Sequence, residues 1–156
     1  FFQEMTIHGT MMPDFGFGIY VLKDQKQAIW LSKQVDLGDL YIYDFKEDKF
    51  TKKITGDNYH VSTLQGVDEE NQVLYFIASN LECMSDPYYG ALCSIKFDGS
   101  YFKILTPEDA MHSVKINIEQ GVYVDTYSRC DPAPITKLGY LNGEKENIKF
   151  ENPTIL

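Results

Sequence analysis

The side chains here that could hold a metal, attack a carbonyl or move a proton are three histidines, three cysteines and a spread of aspartates. His8, His60 and His112 stand far apart, and no H-x-x-H or C-x-x-C spacing offers a ready pair of ligands. Structural placement is the preferred reading, and neither a metal site nor a cofactor is expected. Asp14, Asp24, Asp36, Asp44 and Asp68 do not fall into a D-x-D-x-D calcium loop, so they read as turn formers and solvated charges. No G-x-S-x-G nucleophile elbow occurs, so no catalytic residue is assigned. Tyr88–Tyr89 follows Asp86–Pro87 in a long loop, where packing within the loop is favoured over a partner contact. Cys83 and Cys93 bracket that loop and Cys130 stands alone. A Cys83–Cys93 bridge, worth ~2–3 kcal/mol, and reduced buried thiols both remain open.

The elements that must position these residues alternate apolar and polar side chains with the period of strands. GIYVLKDQKQAIWLS (Gly18–Ser32) is an apolar run, a polar turn at Asp24–Gln27 and a second apolar run. VSTLQGVDEENQVLYFIAS (Val61–Ser79) and VKINIEQGVYVDTYS (Val114–Ser128) repeat the plan. Two further strand-like segments follow each hairpin. These are Asp39–Phe45 and Lys49–Thr55, then Ala91–Phe97 and Tyr101–Thr106 around Asp98–Gly99, then Ile135–Leu141 and Glu146–Phe150 around Asn142–Gly143. Four short strands per unit, repeated about every 50 residues, point to propeller blades rather than a sandwich. The fold expected is all-β, about three four-stranded antiparallel blades spanning roughly 15–55, 59–106 and 112–150 of one partial β-propeller domain. His60 and His112 would then hold equivalent places just before the inner strands of successive blades.

Composition agrees. Aromatic residues make up 14% of the chain, including 11 Tyr and 10 Phe, which favours pleated, half-buried surfaces. A net charge of −9 argues against nucleic acid or an anionic membrane as partner. No window approaches the ~18–20 apolar residues that span a bilayer. The start, FFQEMTIHGT, lacks both a signal-peptide layout and an initial Met, so a mature product or an excised piece is expected. Asn152–Pro153–Thr154 is no glycosylation sequon because of its proline.

The string ITGDNYHVSTLQGVDEENQVLYFIAS, followed by ALCSIKFDGSYFKILT, resembles the N-terminal β-propeller of the dipeptidyl peptidase IV family of serine peptidases. The residues that carry the likeness are Lys53–Thr55, Gly66–Asp68–Glu69, Tyr75–Phe76, Asp98–Gly99 and Lys103–Thr106, with SRCDPAPITKL (Ser128–Leu138) similar to the final blade. The resemblance implies a place in the last blades of an eight-bladed propeller that caps an α/β-hydrolase domain, a domain absent from this chain. It implies a non-catalytic segment acting as scaffold and substrate-access gate for an enzyme that releases N-terminal dipeptides without a cofactor. It further implies an extracytoplasmic parent, which would permit a disulfide, with the hydrolase domain and passing peptides as partners. The amino-terminus-binding glutamates of that family belong to an earlier blade, so Glu69–Glu70 is not that pair. A stand-alone propeller binding proteins or glycans is the alternative. Open blade faces at both ends lead to an expectation of self-association, with Phe15, Phe17, Ile19, Ile148 and Phe150 as candidates for the exposed surface.

Overall fold

In a computed structural model of the protein, residues 18–34, 37–129, 133–143 and 148–151 are described. They form twelve strands and no helix: β1 (Ile19–Val21), β2 (Gln27–Gln34), β3 (Leu37–Asp44), β4 (Lys49–Lys53), β5 (His60–Asp68), β6 (Val73–Ser79), β7 (Ala91–Lys96), β8 (Lys103–Ile104), β9 (Met111–Asn117), β10 (Val122–Ser128), β11 (Ile135–Tyr140) and β12 (Ile148–Glu151). Each consecutive set of four is one antiparallel meander, β1–β4, β5–β8 and β9–β12. No helix among the described residues is long and apolar enough to cross a membrane.

Local chemistry sets the hairpins. Asp24 accepts from Lys26 N at 2.9 Å, Asp44 from Lys46 N at 2.9 Å, and Asp68 from Asn71 N at 3.0 Å. Each carboxylate thus closes its own turn. The β5–β6 turn places Gln72 at φ 55°, and Gly121 takes φ 65° at the corresponding point between β9 and β10. The β8 strand is shorter than the Tyr101–Thr106 segment suggested. Tyr101 sits at φ 55°, which carries the turn onward, and the Phe102 ring leaves the ladder to stack on Tyr59 at 4.5 Å.

The middle sheet is covered on both faces, which is why ALCSI in β7 is buried at every position instead of at alternate ones. Leu74, Phe76 and Ala78 point toward the first sheet and join Ile29, Leu31, Leu40 and Val61 in one core. Tyr75 and Leu92 point the other way and meet Leu105, Tyr123 and Leu141. Burying a side chain such as Phe76 contributes roughly 1.5–3 kcal/mol. The sheets approach closely at Gly38, where a Cβ would lie 1.9 Å from the Val61 carbonyl oxygen. Glu69, from the β5–β6 turn, ties the same pair of sheets by accepting from Tyr20 Oη and Lys23 N, both at 2.9 Å.

Among the described residues, the outer sheets are covered on one face only. On the far side of the first, Trp30, Tyr41, Tyr43 and Phe50 form an aromatic plate with centroid spacings of 5.2–5.9 Å. Phe50 and Phe45 are exposed there. On the far side of the third sheet, Met111, Val124 and Ile148 are exposed. Ile19 is half-buried, while Phe15 and Phe17 lie outside the described residues and the side chain of Phe150 is not described.

Candidate functional site

Strand register lines up three ionisable residues across the third sheet. Asp125 in β10 pairs with Lys137 in β11, and Tyr127, next on that face, pairs with His112 in β9. Alternate residues share a face, so His112, Asp125, Tyr127, Lys137 and Tyr123 all point toward the middle sheet. In the middle sheet the corresponding positions are Val61, Phe76, Ala78, Cys93 and Leu74, all buried and apolar. The third sheet therefore carries charge in columns where its neighbour carries core.

These charges satisfy one another. His112 Nδ1 bonds Asp125 Oδ2 at 2.8 Å, and His112 Nε2 bonds the Glu108 main-chain oxygen at 2.7 Å. Lys137 Nζ donates to both Glu108 carboxylate oxygens, at 2.7 and 2.9 Å. The ammonium also lies 5.7 Å from the Tyr127 ring centre and 6.0 Å from that of Tyr123. The His112 imidazole and the Asp125 carboxylate have no solvent exposure, and Lys137 is 1% exposed. Tyr123 donates its hydroxyl to Leu105 O at 2.9 Å, and its ring fills space that only a glycine at 139 leaves open.

Two acceptors flank the imidazole, so both ring nitrogens must carry hydrogen, and His112 is an imidazolium when both bonds are made. Burial is the largest single influence and lowers its pKa. The bonds to Asp125 and the Glu108 carbonyl, with the charges of Asp125 and Glu108, outweigh it, and the net pKa lies above the ordinary 6.5. For Glu108 burial pushes upward first, but the Lys137 ammonium prevails and holds the carboxyl below its ordinary value. Two cations thus face two carboxylates. Asp125 Oδ1 alone is left with no hydrogen-bond partner among the described residues.

Glu108, His112 and Asp125 offer ligand-type atoms within 4.8 Å of one another. A metal ion there would have to displace a ring proton or the Lys137 ammonium, both already bonded. The chemistry of the set fits a buried ion network better than a metal centre. Nucleophilic catalysis gains nothing from it either, since His112 Nε2 is committed to a main-chain carbonyl.

The network continues outward at the end of the sheets that carries the long loops. Asp109 accepts from Ser85 N at 2.8 Å and Ser85 Oγ at 3.0 Å, and Arg129 donates to both its main-chain oxygen and its carboxylate. One link, 105–110, therefore touches the 80–90 loop of the middle sheet and the end of β10. His60 lines an open groove of about 630 Å³ with Asp57, Asn80, Glu82 and Ser85, the last of which bonds Asp109.

His60 and His112 are not equivalent. Thr55 and Thr106 hold matching places, each accepting from the strand beside it, from Leu40 N at 3.2 Å and Leu92 N at 2.8 Å. Counting on from them sets His60 against Met111 and Val61 against His112. Both histidines lie in strands, one place out of step, and so face opposite sides. His8, Asp14, Asp36 and Cys130 lie outside the described residues. Cys83 and Cys93 carry free thiols, and burial pushes the Cys93 thiol up to about 12. Tyr88 is exposed, whereas Tyr89 packs against the core. Glu108, Asp125 and Lys137 carry no motif. Aligning the sheets position by position, and seeing charge replace Val61, Phe76 and Cys93, is the signal that finds them.

With that geometry in view, comparison with known proteins settles the lineage. The family model of the dipeptidyl peptidase IV (DPP IV) N-terminal region matches residues 10–134. The chain belongs to that family. No curated protein matches it. Among solved structures, putative TolB from Agrobacterium tumefaciens is similar at 12% identity with a TM-score of 0.61, over 89% of this chain and 50% of that one. A chain of the nidogen/laminin complex is similar at 12% identity with a TM-score of 0.55, over 88% of this chain and 48% of that one. These likenesses support the β-propeller fold, and the chain spans about half the length of each. The three sheets of this DPP IV N-terminal segment are accordingly blades, with β1, β5 and β9 as first strands.

Proposed function

We propose that this chain is a non-catalytic propeller segment of a DPP IV-like serine peptidase, acting as scaffold and substrate-access gate. The observation that supports the reading best is the family match, which runs from residue 10 through two blades and into the third. The parent reaction is hydrolysis that releases N-terminal dipeptides, with the nucleophile, acid and histidine supplied by an α/β-hydrolase domain outside these residues. The blades contribute a rigid wall, because the middle sheet is buried on both faces and a wall of packed sheet does not yield to a folded substrate. An extracytoplasmic location belongs to the same reading.

The gate is tested on the complete gene product by offering one Gly-Pro N-terminus on a short chromogenic peptide and again on a folded protein domain. The reading expects the short substrate to be cleaved and the folded one to resist until it is unfolded. Equal rates would remove the gating role.

A second reading, a stand-alone scaffold that binds proteins or glycans, draws on the partly exposed plate of Trp30, Tyr41 and Phe50, since aromatic faces suit both kinds of partner. Glycan-array or pull-down binding lost on Trp30→Ala, with no peptidase activity in the complete product, would favour it.

A further inference from the structure

The buried ion network of the third blade has a property that neither scaffolding nor gating requires. Its central bond is made by a histidine, the side chain whose ordinary charge change lies nearest neutral pH, in a column that its neighbour fills with Val61, Phe76 and Cys93. We propose that His112, held between Asp125 and the Glu108 carbonyl, is a proton-operated latch that fixes the 105–110 link, and through Asp109 the 80–90 loop, to the last blade.

The geometry supplies the argument. While the imidazole carries two protons, one N–H grips β10 at Asp125 and the other grips the link at the Glu108 oxygen. That oxygen also accepts from Ala110 N at 2.9 Å, so the imidazole bonds the link at a turn of its own main chain. Losing one proton breaks one of the two grips. If Asp125 loses its donor, a carboxylate whose Oδ1 already lacks a partner is left buried without compensation. If the Glu108 carbonyl loses its donor, the link loses that hold on the last blade and keeps only its bonds to Lys137, Arg129 and Tyr123. Either way the anchor beneath Asp109, Ser85 and Arg129 weakens.

The groups facing His112 are Asp125 and Tyr127 from β10, Glu108 from the link and Lys137 from β11, with Asp109 and Arg129 beyond the link. The Lys137 ammonium is taken up by Glu108, so Asp125 remains the imidazole's own counter-ion. The His112 pKa is raised on folding. Its stabilising effect is therefore full below the unfolded value near 6.5 and is lost as pH rises through the folded value. The latch is closed in mild acid and opens toward alkaline pH. This stands apart from the peptidase reading, because it concerns a seam within the chain.

The test is an NMR titration of the 156-residue chain, following the His112 ring and the amides of Ser85, Asp109 and Ala110. The expected His112 midpoint lies above 6.5, and the three amides shift with the same midpoint. Their exchange protection, corrected for intrinsic chemistry, should drop by about tenfold or more above that midpoint, as expected for a broken buried charge pair. His112→Gln should abolish the step, and His60→Gln should leave it. A midpoint at or below 6.5, link amides that ignore it, or a step that survives His112→Gln would overturn the latch. Should His112→Gln fail to fold, the native titration decides alone.

Discussion

Asp125 sits where the middle blade carries Phe76, and it is tolerated only because His112 answers its charge within 2.8 Å. Removing one partner of such a pair costs more than the pair contributes, because the survivor stays buried. Asp125→Ala is expected to destabilise the chain by about 3–5 kcal/mol, read as a fall in urea midpoint. A loss under about 1 kcal/mol would mean that the carboxylate is solvated in solution. Tyr123→Phe is a milder case. It deletes the donor to the buried Leu105 oxygen and should cost about 1–2 kcal/mol with no change in fold. The residues of the network were not legible one at a time. His112 was visible as a histidine and Asp125 as one acid among many, and neither carries spacing that announces its neighbour. Their meeting is a consequence of cross-strand register, which depends on the length and φ values of turns such as Gln72 and Gly121.

At the scale of elements, the three hairpins were legible because strand alternation is a local signal. GIYVLKDQKQAIWLS and its two repeats state their strands and turns within fifteen to nineteen residues. The outer strands were harder. Tyr101–Thr106 looked continuous, but a left-handed Tyr101 and the stacking of Phe102 on Tyr59 reduce β8 to Lys103–Ile104. Nor could periodicity show how closely blades approach. The contact of Gly38 with the Val61 carbonyl is such a place, and main chain cannot move aside as a side chain end can. Gly38→Ala is expected to cost about 3 kcal/mol by thermal or urea denaturation. Gly56→Ala, whose Cβ would meet only Tyr59 at an ordinary 3.7 Å, should stay within about 0.5 kcal/mol. If the two variants melt together, the first two blades are not packed as described.

At the scale of the whole molecule, two sheet faces have no neighbour among the described residues: the aromatic plate of the first blade, and the Met111–Val124–Ile148 face of the third. Exposed apolar sheet is a liability that a charge of −9 does not cover. In isolation the 156-residue chain is expected to self-associate at micromolar concentration, most simply as a two-fold dimer pairing equivalent faces. Light scattering checks this, and a clean monomer that binds no hydrophobic dye would show that the ends are covered from within. The proposed function makes a stronger claim, that the chain serves a peptidase without being one. The most direct measurement is turnover of a Gly-Pro chromogenic substrate by the isolated chain and by the complete gene product, side by side. The account predicts no rate above buffer from the chain, and from the complete product a rate that a serine-directed inhibitor removes. Inhibitor-sensitive turnover by the chain alone, or none from the folded complete product, would contradict it.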